Sequence, residues 1–347
     1  MLSKNLTIKY LLVLSLIILS SLYCSISGNY DFVSELPENI TRVWIGPEYW
    51  ANPLQDWQLN KGRIECVASG GDRNVYLLSH ELTDKSGTVK MSVILGRLEN
   101  NNETLSQGWI GFKTGVRGEF KDYRNSAVRG DGFRLGLTTD GVLFIGKLET
   151  TTKKIEAPLQ NLRLDFSAQP KGEKYLVTLL CFDKNNKLLS QVSKDNIDED
   201  WLYGGVALVC NNGKIADMPD TRPEVIFDNW GSKPGTARGG NVKFWFKDWK
   251  LSGCKVKHFP GHSFGPVLFT QYTLSKGLMK MTAQMPPIGK QDVQSVQLDI
   301  KNASWEKISE ARIDPLSRTA TFRVENWNSS QDMPYRVTYQ FCCKICE

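Results

Sequence analysis

The sequence has few histidines, no cluster of basic residues and no sustained amphipathic helix. Histidine occurs three times in 347 residues, as His80, His258 and His262, which is too few for a reactive pair of metal ions. The formal net charge of +6 includes Lys4 and Lys9, and no basic stripe remains that would indicate a nucleic-acid partner. Because helical periodicity is missing, the predicted fold class is all-β.

Long apolar runs are also missing, with one exception near the amino terminus. Two lysines precede the apolar run 11–19, and small residues at 25–27 offer a cleavage point. The run is shorter than the roughly 20 residues that cross a bilayer, so it predicts a cleaved signal peptide over 1–27. Cys24 would suit a lipid anchor, but Tyr23 stands where a small residue is expected. We therefore predict a secreted, periplasmic or cell-envelope protein without a transmembrane segment in its mature chain.

The eight cysteines match no zinc-site spacing. Cys181 and Cys210 stand among apolar neighbours, which predicts small core residues, while export to an oxidising compartment leaves one disulfide open. Cys342, Cys343 and Cys346 crowd the end of the chain. We expect 342–347 to be an irregular tail.

A period-two pattern organises the region 89–147. Apolar residues alternate with smaller or polar ones along 89–95 and again along 133–137, before an Asp140-Gly141 turn. This pattern predicts antiparallel strands with one buried face. The glycine-rich stretch 111–132 between them predicts a loop that packs tightly or presents a ligand-facing rim.

The predicted first domain, 41–258, follows a short linker at 28–40. A strand, a polar turn and a second strand occupy 175–192, Gly204-Gly205 opens another strand, and an aromatic strand closes the domain at 246–251. In these features the domain resembles concanavalin A-like or laminin G-like jelly rolls. That resemblance implies a large two-sheet sandwich, a scaffold shared by many sugar-binding and glycan-cleaving proteins.

A second domain is predicted over 264–341. Clean alternation of apolar and polar residues at 279–284, 296–301 and 319–324 predicts three strands of a small immunoglobulin-like or fibronectin III-like sandwich, and another strand begins at Tyr335. Such a sandwich needs a last edge strand to satisfy its neighbour's backbone. The alternation stops at Phe341, and the residues that follow do not supply this strand. We therefore expect this module to be truncated.

Four longer phrases carry a second resemblance. Trp44–Pro53, Gly70–Asn74, Phe264–Phe269 and the segment 313–337 resemble the amino-terminal accessory region of large bacterial alkaline phosphatase D-like proteins. In that family a jelly roll and a fibronectin-like module precede a metallophosphatase domain. The resemblance implies a secreted, non-catalytic accessory region that binds or scaffolds.

The catalytic half of that family is not expected here. Two-metal phosphoesterases need several aspartates, histidines and an asparagine around paired ions, whereas this chain has no Asp-x-His and no Gly-Asn-His sequence. We predict no phosphatase activity and no catalytic metal. A structural calcium ion stays open at the acidic run 195–200, where a solvated turn is the competing interpretation.

The candidate ligand-binding residues are Tyr123, Arg124, Asp131 and Trp230. Aromatic faces with a few convergent polar groups are sufficient to bind a glycan or another cell-surface polymer. In the competing interpretation Trp230 belongs to the core and Arg124 is a surface charge. The tryptophans of 44–57 are subject to the same choice between stacking sugars and capping a core, and we favour capping.

A jelly-roll glycoside hydrolase is the alternative function. Such an enzyme places two carboxylates across a groove, and Glu119, Asp122 and Asp131 are the acids near Tyr123. The run Glu-x-Asp-x-Glu that marks one jelly-roll hydrolase family is missing from the sequence. Binding and cleavage therefore both stay open at this stage.

Overall fold

The computed structural model describes residues 30–98, 107–120, 122–147, 149–151, 153–215, 241–341 and 344–346. These residues form two consecutive β-modules. The strands of the larger module are β1 (Phe32–Val33), β2 (Thr41–Arg42), β3 (Tyr49–Asn52), β4 (Trp57–Asn60), β5 (Arg63–Cys66), β6 (Arg73–Leu82), β7 (Val89–Arg97), β8 (Trp109–Arg117), β9 (Asp131–Thr138), β10 (Leu143–Ile145), β11 (Glu149–Thr150), β12 (Leu162–Lys171), β13 (Lys174–Phe182), β14 (Leu188–Ile197), β15 (Gly204–Asn211), β16 (Phe244–Ser252) and β17 (Val256–His258).

The larger module is a sandwich of two antiparallel sheets. The first sheet has the order β14-β13-β12-β7-β16-β5-β4-β2, with β1 beside β16; the second has the order β11-β10-β9-β8-β15-β6-β17, with β3 beside β6. Val93 and Leu164 of the first sheet and Phe112 and Leu208 of the second are fully buried in one core. The module also contains the helix α1 (Tyr123–Arg129) and 3₁₀ turns at Leu54–Asp56 and Glu199–Leu202.

The strand pattern of 89–147 is largely as predicted. β9 and β10 pair antiparallel across the Asp140-Gly141 turn, where Gly141 has a φ of 87°, a conformation that glycine adopts without strain. The predicted loop is wrong over 111–117, which belongs to β8, a strand buried on both faces except at Arg117. Among the described residues, 118–120, Asp122, the short helix α1 and Gly130 lie between β8 and β9.

The predicted linker 28–40 is also wrong where the structure describes it. β1 pairs with β16, with Phe32 opposite Leu251, and Phe32 and Ile40 are buried in the core of the larger module. This segment is therefore part of the sandwich, because β1 pairs with a strand of the first sheet and the apolar side chains pack in the core.

The smaller module has seven strands in the described chain. They are β18 (Phe269–Ser275), β19 (Leu278–Gln284), β20 (Ser295–Lys301), β21 (Trp305–Arg312), β22 (Thr319–Val324), β23 (Tyr335–Phe341) and β24 (Lys344–Cys346). Sheets of order β18-β19-β22 and β21-β20-β23-β24 enclose a core of alternating residues such as Met281 and Leu298. The tail predicted to be irregular contains β24, which pairs with the end of β23.

The all-β fold class, a large jelly-roll sandwich followed by a small one, is confirmed. No helix of the described ranges is long and apolar enough to cross a membrane. The predicted signal peptide, Cys24 and the pair Cys342–Cys343 lie outside the described residues. Cys181 and Cys210 are buried free thiols, as predicted.

One tryptophan, Trp44, connects the two modules. Trp44 precedes most of the larger module in the chain, yet its ring is buried in the core of the smaller module, and its indole N–H donates to the carbonyl of Phe264 at 3.0 Å. The neighbouring Arg42 forms a buried ion pair with Asp292 at 2.5 Å. Its guanidinium also lies over the rings of Trp44 and Phe341, 4.8 and 4.9 Å from their centroids.

Candidate functional site

A cavity of about 660 Å³ opens on the outer face of the second sheet of the larger module. Its volume lies within the range of small-molecule sites, roughly 300–1,000 Å³. Its floor is buried and includes Tyr76, Val116 and Gly205, whereas its rim carries exposed side chains, among them Phe120 and Tyr203. Aromatic faces and carboxylates therefore surround one concave space.

An irregularity in β6 brings Tyr76 and Glu81 to the same cavity. The two residues are five positions apart, so strict alternation would place them on opposite faces. Tyr76 is opposite Ala207 of β15 and Glu81 is opposite Gly205, and the register shifts between these pairs. This bulge turns the carboxylate of Glu81 outwards, towards the side that Tyr76 already faces.

Helix α1 holds the wall of the cavity in place. Asp122 caps the helix, since its carboxylate accepts a hydrogen bond from the backbone N–H of Arg124 at 2.7 Å. The Asn125 side chain accepts from the backbone N–H of Phe120 at 3.3 Å, and the Ser126 hydroxyl accepts from that of Gly118 at 3.2 Å. These contacts fix the turn that presents Phe120, Asp122 and Tyr123.

His262 lies beside α1 and lines the same cavity. Its imidazole stacks on Tyr123 with ring centroids 3.9 Å apart and planes 8° apart, and on Phe259 at 4.7 Å and 5°. The segment is anchored by the backbone N–H of Phe259, which donates to the carbonyl of Ser79 at 2.7 Å. The stack joins α1 to the segment that follows β17.

Two titratable side chains of this wall, His262 and Glu81, lie close together without a hydrogen bond between them. The Nδ1 of His262 has no hydrogen bond within the described chain and lies 3.8 Å from Oε1 of Glu81, which is beyond hydrogen-bond distance. Burial lowers the pKa of His262, and a hydrogen bond to the backbone of Leu78 opposes this shift. Burial raises the pKa of Glu81, and the charge of Lys257 opposes that.

The floor contains a second orphan group, the hydroxyl of Tyr76. Tyr76 is 1% exposed, and its oxygen has no hydrogen-bond partner among the described residues. Burial raises the pKa of this phenol well above its usual value, and the charge of Glu81 adds to the shift. The hydroxyl lies against Gly205, where a Cβ would stand only 2.0 Å from it.

The predicted ligand-binding residues do not form one cluster. Tyr123 lines the cavity, whereas the neighbouring Arg124 is exposed and its guanidinium lies over the Tyr123 ring, 5.2 Å from the centroid. Trp230 lies outside the described residues. Of the three acids considered for catalysis, Glu119 and Asp122 line the cavity and Asp131 does not.

Asp131 belongs to a buried network of charges. It lies 2.5 Å from Arg134 and 3.4 Å from Lys113, and Asp72 bridges the same two cations at 3.6 and 2.7 Å. Asp131, Arg134 and Lys113 are all buried. Buried charges of this kind need their partners to offset desolvation, so the geometry indicates a structural role for Asp131.

The acidic run 195–200 is divided among different cations. Asp195 pairs with Lys171 at 2.8 Å, Asp198 pairs with Lys174, and Glu199 pairs with the buried Lys255 at 2.9 Å. Within the described residues no three histidine, cysteine, aspartate or glutamate side chains are grouped to hold a metal ion.

The aromatic segment 44–57 packs inside the protein. Trp57 is fully buried in the core of the larger module and Trp44 in that of the smaller module. Trp50 packs edge-on against Phe264 with ring centroids 4.5 Å apart. The capping interpretation fits these positions, because no sugar ring could reach the two buried indoles.

Sequence reasoning missed four of the residues that shape the cavity, namely Tyr76, Glu81, Phe259 and His262. Phe259 and His262 form no recognisable sequence motif. Tyr76 and Glu81 are an odd number of residues apart, so simple alternation along a strand placed their side chains on opposite faces. One available signal was the Gly204-Gly205 pair, because consecutive glycines within a strand often mark a bulge or a close approach.

No protein-family model matches the chain, and no curated protein sequence matches it. Solved structures that resemble it include peanut lectin with a 9mer peptide (8% identity, 62% of this chain and 93% of that chain, TM-score 0.36). A second is the carbohydrate recognition domain of Emp47p, with 12% identity over 65% of this chain and 99% of that chain and a TM-score of 0.37. A third is the exoplasmic/lumenal domain of VIP36 in a Ca²⁺/Man3GlcNAc-bound form, with 8% identity over 62% of this chain and 86% of that chain and a TM-score of 0.35. These TM-scores are below 0.5, so the likenesses assign neither a ligand nor a metal to this chain.

Proposed function

We propose that the chain is an exported, non-catalytic glycan-binding protein and that the cavity beside α1 is its binding site. The observation that carries this proposal is the combination of aromatic faces, carboxylates and an orphan buried hydroxyl around one space of about 660 Å³. Aromatic rings pack against the C–H faces of sugars, while carboxylates accept hydrogen bonds from sugar hydroxyls. The signal peptide and the resemblance to alkaline phosphatase D-like accessory regions belong to the proposal and rest on the sequence alone.

The test is binding of the purified chain to a glycan array, followed by titration of each hit with and without calcium. Tyr203 is 40% exposed at the rim, so Tyr203→Ala removes a stacking surface without opening the core. We expect about tenfold weaker binding from this loss. Tyr272→Ala is the matched control, because Tyr272 is 52% exposed on β18 of the smaller module. Absence of any glycan ligand, or equal affinities for both variants, would refute the proposal.

Glycan cleavage is the second candidate, favoured by one observation. Glu81, Glu119 and Asp122 line the same cavity, and burial raises the pKa of Glu81, as a general acid requires. Incubation of each array hit with the chain, followed by separation of the products, tests this function. Cleavage that is lost in Glu81→Gln and in Asp122→Asn would make the protein a hydrolase.

A further inference from the structure

Two buried cysteines face each other across the core of the larger module. Cys66 ends β5 in the first sheet, and Cys210 lies near the end of β15 in the second. Both side chains belong to the core between the sheets. The thiol of Cys210 is hydrogen-bonded to the thiol of Cys66. The two sulfurs are therefore neighbours, and both thiols are free in this structure.

The strand register brings the two cysteines to the same end of the sandwich. Cys66 is opposite Trp57 of β4, and Cys210 is opposite Arg73 of β6. Arg73 forms an ion pair at 2.8 Å with Asp56, the residue before Trp57. Because this ion pair connects the two strand pairs beside the cysteines, the approach of the sheets at this end does not depend on the thiols.

The connection between the two sheets is held against the same end. Residues 67–72 join β5 to β6, and the carbonyl of Gly70 accepts a hydrogen bond from the backbone N–H of Asn212 at 3.1 Å. The thiol of Cys66 donates to the carbonyl of Ala68 at 3.3 Å. The connection is thus bonded both to the residue that follows β15 and to the thiol that ends β5.

We propose that Cys66 and Cys210 form a disulfide bond between the two sheets when the chain folds in the presence of a small-molecule disulfide as oxidant. A disulfide between the two sheets of a sandwich has a precedent in antibody domains. Cys254 is disulfide-bonded in this structure, and such bonds persist in oxidising compartments. The inference goes beyond glycan binding and does not depend on it.

The bond forms by thiol–disulfide exchange. The thiolate of one cysteine attacks a sulfur of the oxidant, whose S–S bond breaks and releases one thiolate. The thiolate of the other cysteine then attacks the mixed disulfide and displaces the second thiolate of the oxidant. The two leaving thiolates take up the two protons that the cysteines lose. The cysteines are thus oxidised by two electrons, and the oxidant is reduced to two thiols.

Burial determines when this exchange takes place. Cys66 and Cys210 are 1% and 2% exposed. Burial raises the pKa of the Cys210 thiol well above its usual value, and the hydrogen bond to Cys66 adds to the shift. Because only a thiolate attacks a disulfide, we expect the bond to form before the core closes around the two thiols. The same burial then shields the bond from reductants.

The test is refolding of the reduced, unfolded full chain in a mixture of reduced and oxidised glutathione. Free thiols are then alkylated in denaturant, and linked peptides are identified by mass spectrometry without reduction. We expect the peptides that contain Cys66 and Cys210 to be joined. Cys181, a buried free thiol of β13, is the internal control and should be alkylated. Alkylation of both Cys66 and Cys210, or their linkage to other cysteines, would overturn the inference.

Variants separate this bond from the other cysteines of the chain. Cys66 and Cys210 are 144 residues apart (210 − 66), and a disulfide that closes a long loop constrains the unfolded chain. The oxidised protein should therefore have a higher urea midpoint than its reduced form. We expect this difference to fall to less than half in Cys66→Ala and in Cys210→Ala.

Each variant is compared with its own reduced form, so the effect of the cavity that the substitution leaves cancels. Cys181→Ala removes a matched buried thiol and should retain the full difference between the oxidised and reduced midpoints. An undiminished difference in Cys66→Ala and Cys210→Ala would refute the bond. The peptide linkage of the unaltered protein decides the question if either variant fails to fold.

Discussion

The imidazole of His262 lies parallel to the phenol of Tyr123, with 3.9 Å between the ring centroids. Tyr123 comes from α1 and His262 from the segment after β17, so this contact joins two parts of the chain that are 139 residues apart (262 − 123). Burial is the main cause of the lowered pKa of His262, and the stack covers one face of its ring.

The stack can be tested through the titration of His262. In Tyr123→Ala the ring gains water on one face, so we expect the pKa of His262 to rise towards its usual value. Tyr123→Phe keeps the ring and should leave this pKa unchanged. The measurement is a pH titration of the histidine resonances by NMR, and an unaltered pKa in Tyr123→Ala would show that the stack does not shield His262.

Trp44 should be essential to the stability of the smaller module. Its ring is 1% exposed within that core, and truncation of a buried tryptophan costs about 3–5 kcal/mol. We therefore expect Trp44→Ala to lower the urea midpoint of the smaller module strongly. The control is Trp305→Ala, since Trp305 is 37% exposed. Equal losses in the two variants would contradict the burial of Trp44.

Asp131 should affect stability and not binding. Asp131→Asn removes one of two carboxylates that neutralise Lys113 and Arg134, and disruption of a buried ion pair costs on the order of 3 kcal/mol. Chemical denaturation measures this loss. The glycan affinity of the folded variant should equal that of the unaltered protein. A loss of affinity without a loss of stability would show that Asp131 takes part in binding.

His80 should make the protein less stable in mild acid. It is 5% exposed, and burial lowers its pKa from the usual 6.5 to about 4, with the neighbouring His258 adding to the shift. Below pH 6.5 the unfolded chain binds this proton first, so stability falls as the pH drops towards 4, by up to about 3 kcal/mol.

His80→Gln removes this proton uptake. The stability of the variant should depend less steeply on pH between 6.5 and 4, as measured by urea midpoints across that range. His258→Gln, at an exposed position, is the matched control and should retain most of the slope. Parallel pH profiles for the unaltered protein and His80→Gln would exclude His80 as the cause.

Gly205 should be required for the position of Tyr76. A Cβ at residue 205 would stand 2.0 Å from the Tyr76 hydroxyl, and such overpacking costs about 1–3 kcal/mol. We expect Gly205→Ala to destabilise the protein, but to add no further loss in a Tyr76→Ala background. Gly261→Ala has open space around its Cβ and serves as the control. Additive losses at 205 and 76 would contradict the contact.

The fold class was predictable because burial imposes a period of two on a strand with one covered face. β19, β20 and β22 show that period clearly, with Met279, Leu298 and Phe322 among the buried residues. The loop prediction at 111–117 failed because its two glycines and a lysine suggested a turn. In the structure Asp72 neutralises the charge of the buried Lys113. This contact depends on the fold and is not visible in the sequence of the strand.

The site was less predictable than the fold. Tyr123 was found because aromatic and polar residues cluster near it in the sequence. Glu81 was missed because the register shift in β6 reverses the face that simple alternation assigns to it. His262 follows the last strand of the larger module, and only the stack with Tyr123 brings it to the cavity. Contacts of this kind depend on tertiary structure, which local patterns do not encode.

The placement of Trp44 also constrains how this protein can evolve. The indole belongs to the core of one module but is encoded at the start of the other, and the Arg42–Asp292 ion pair spans 250 residues of the same chain. A recombination event that exchanged only the segment after residue 264 would import a module with an empty space where Trp44 should insert. The two β-modules are therefore expected to be inherited together, as a single unit of gene shuffling.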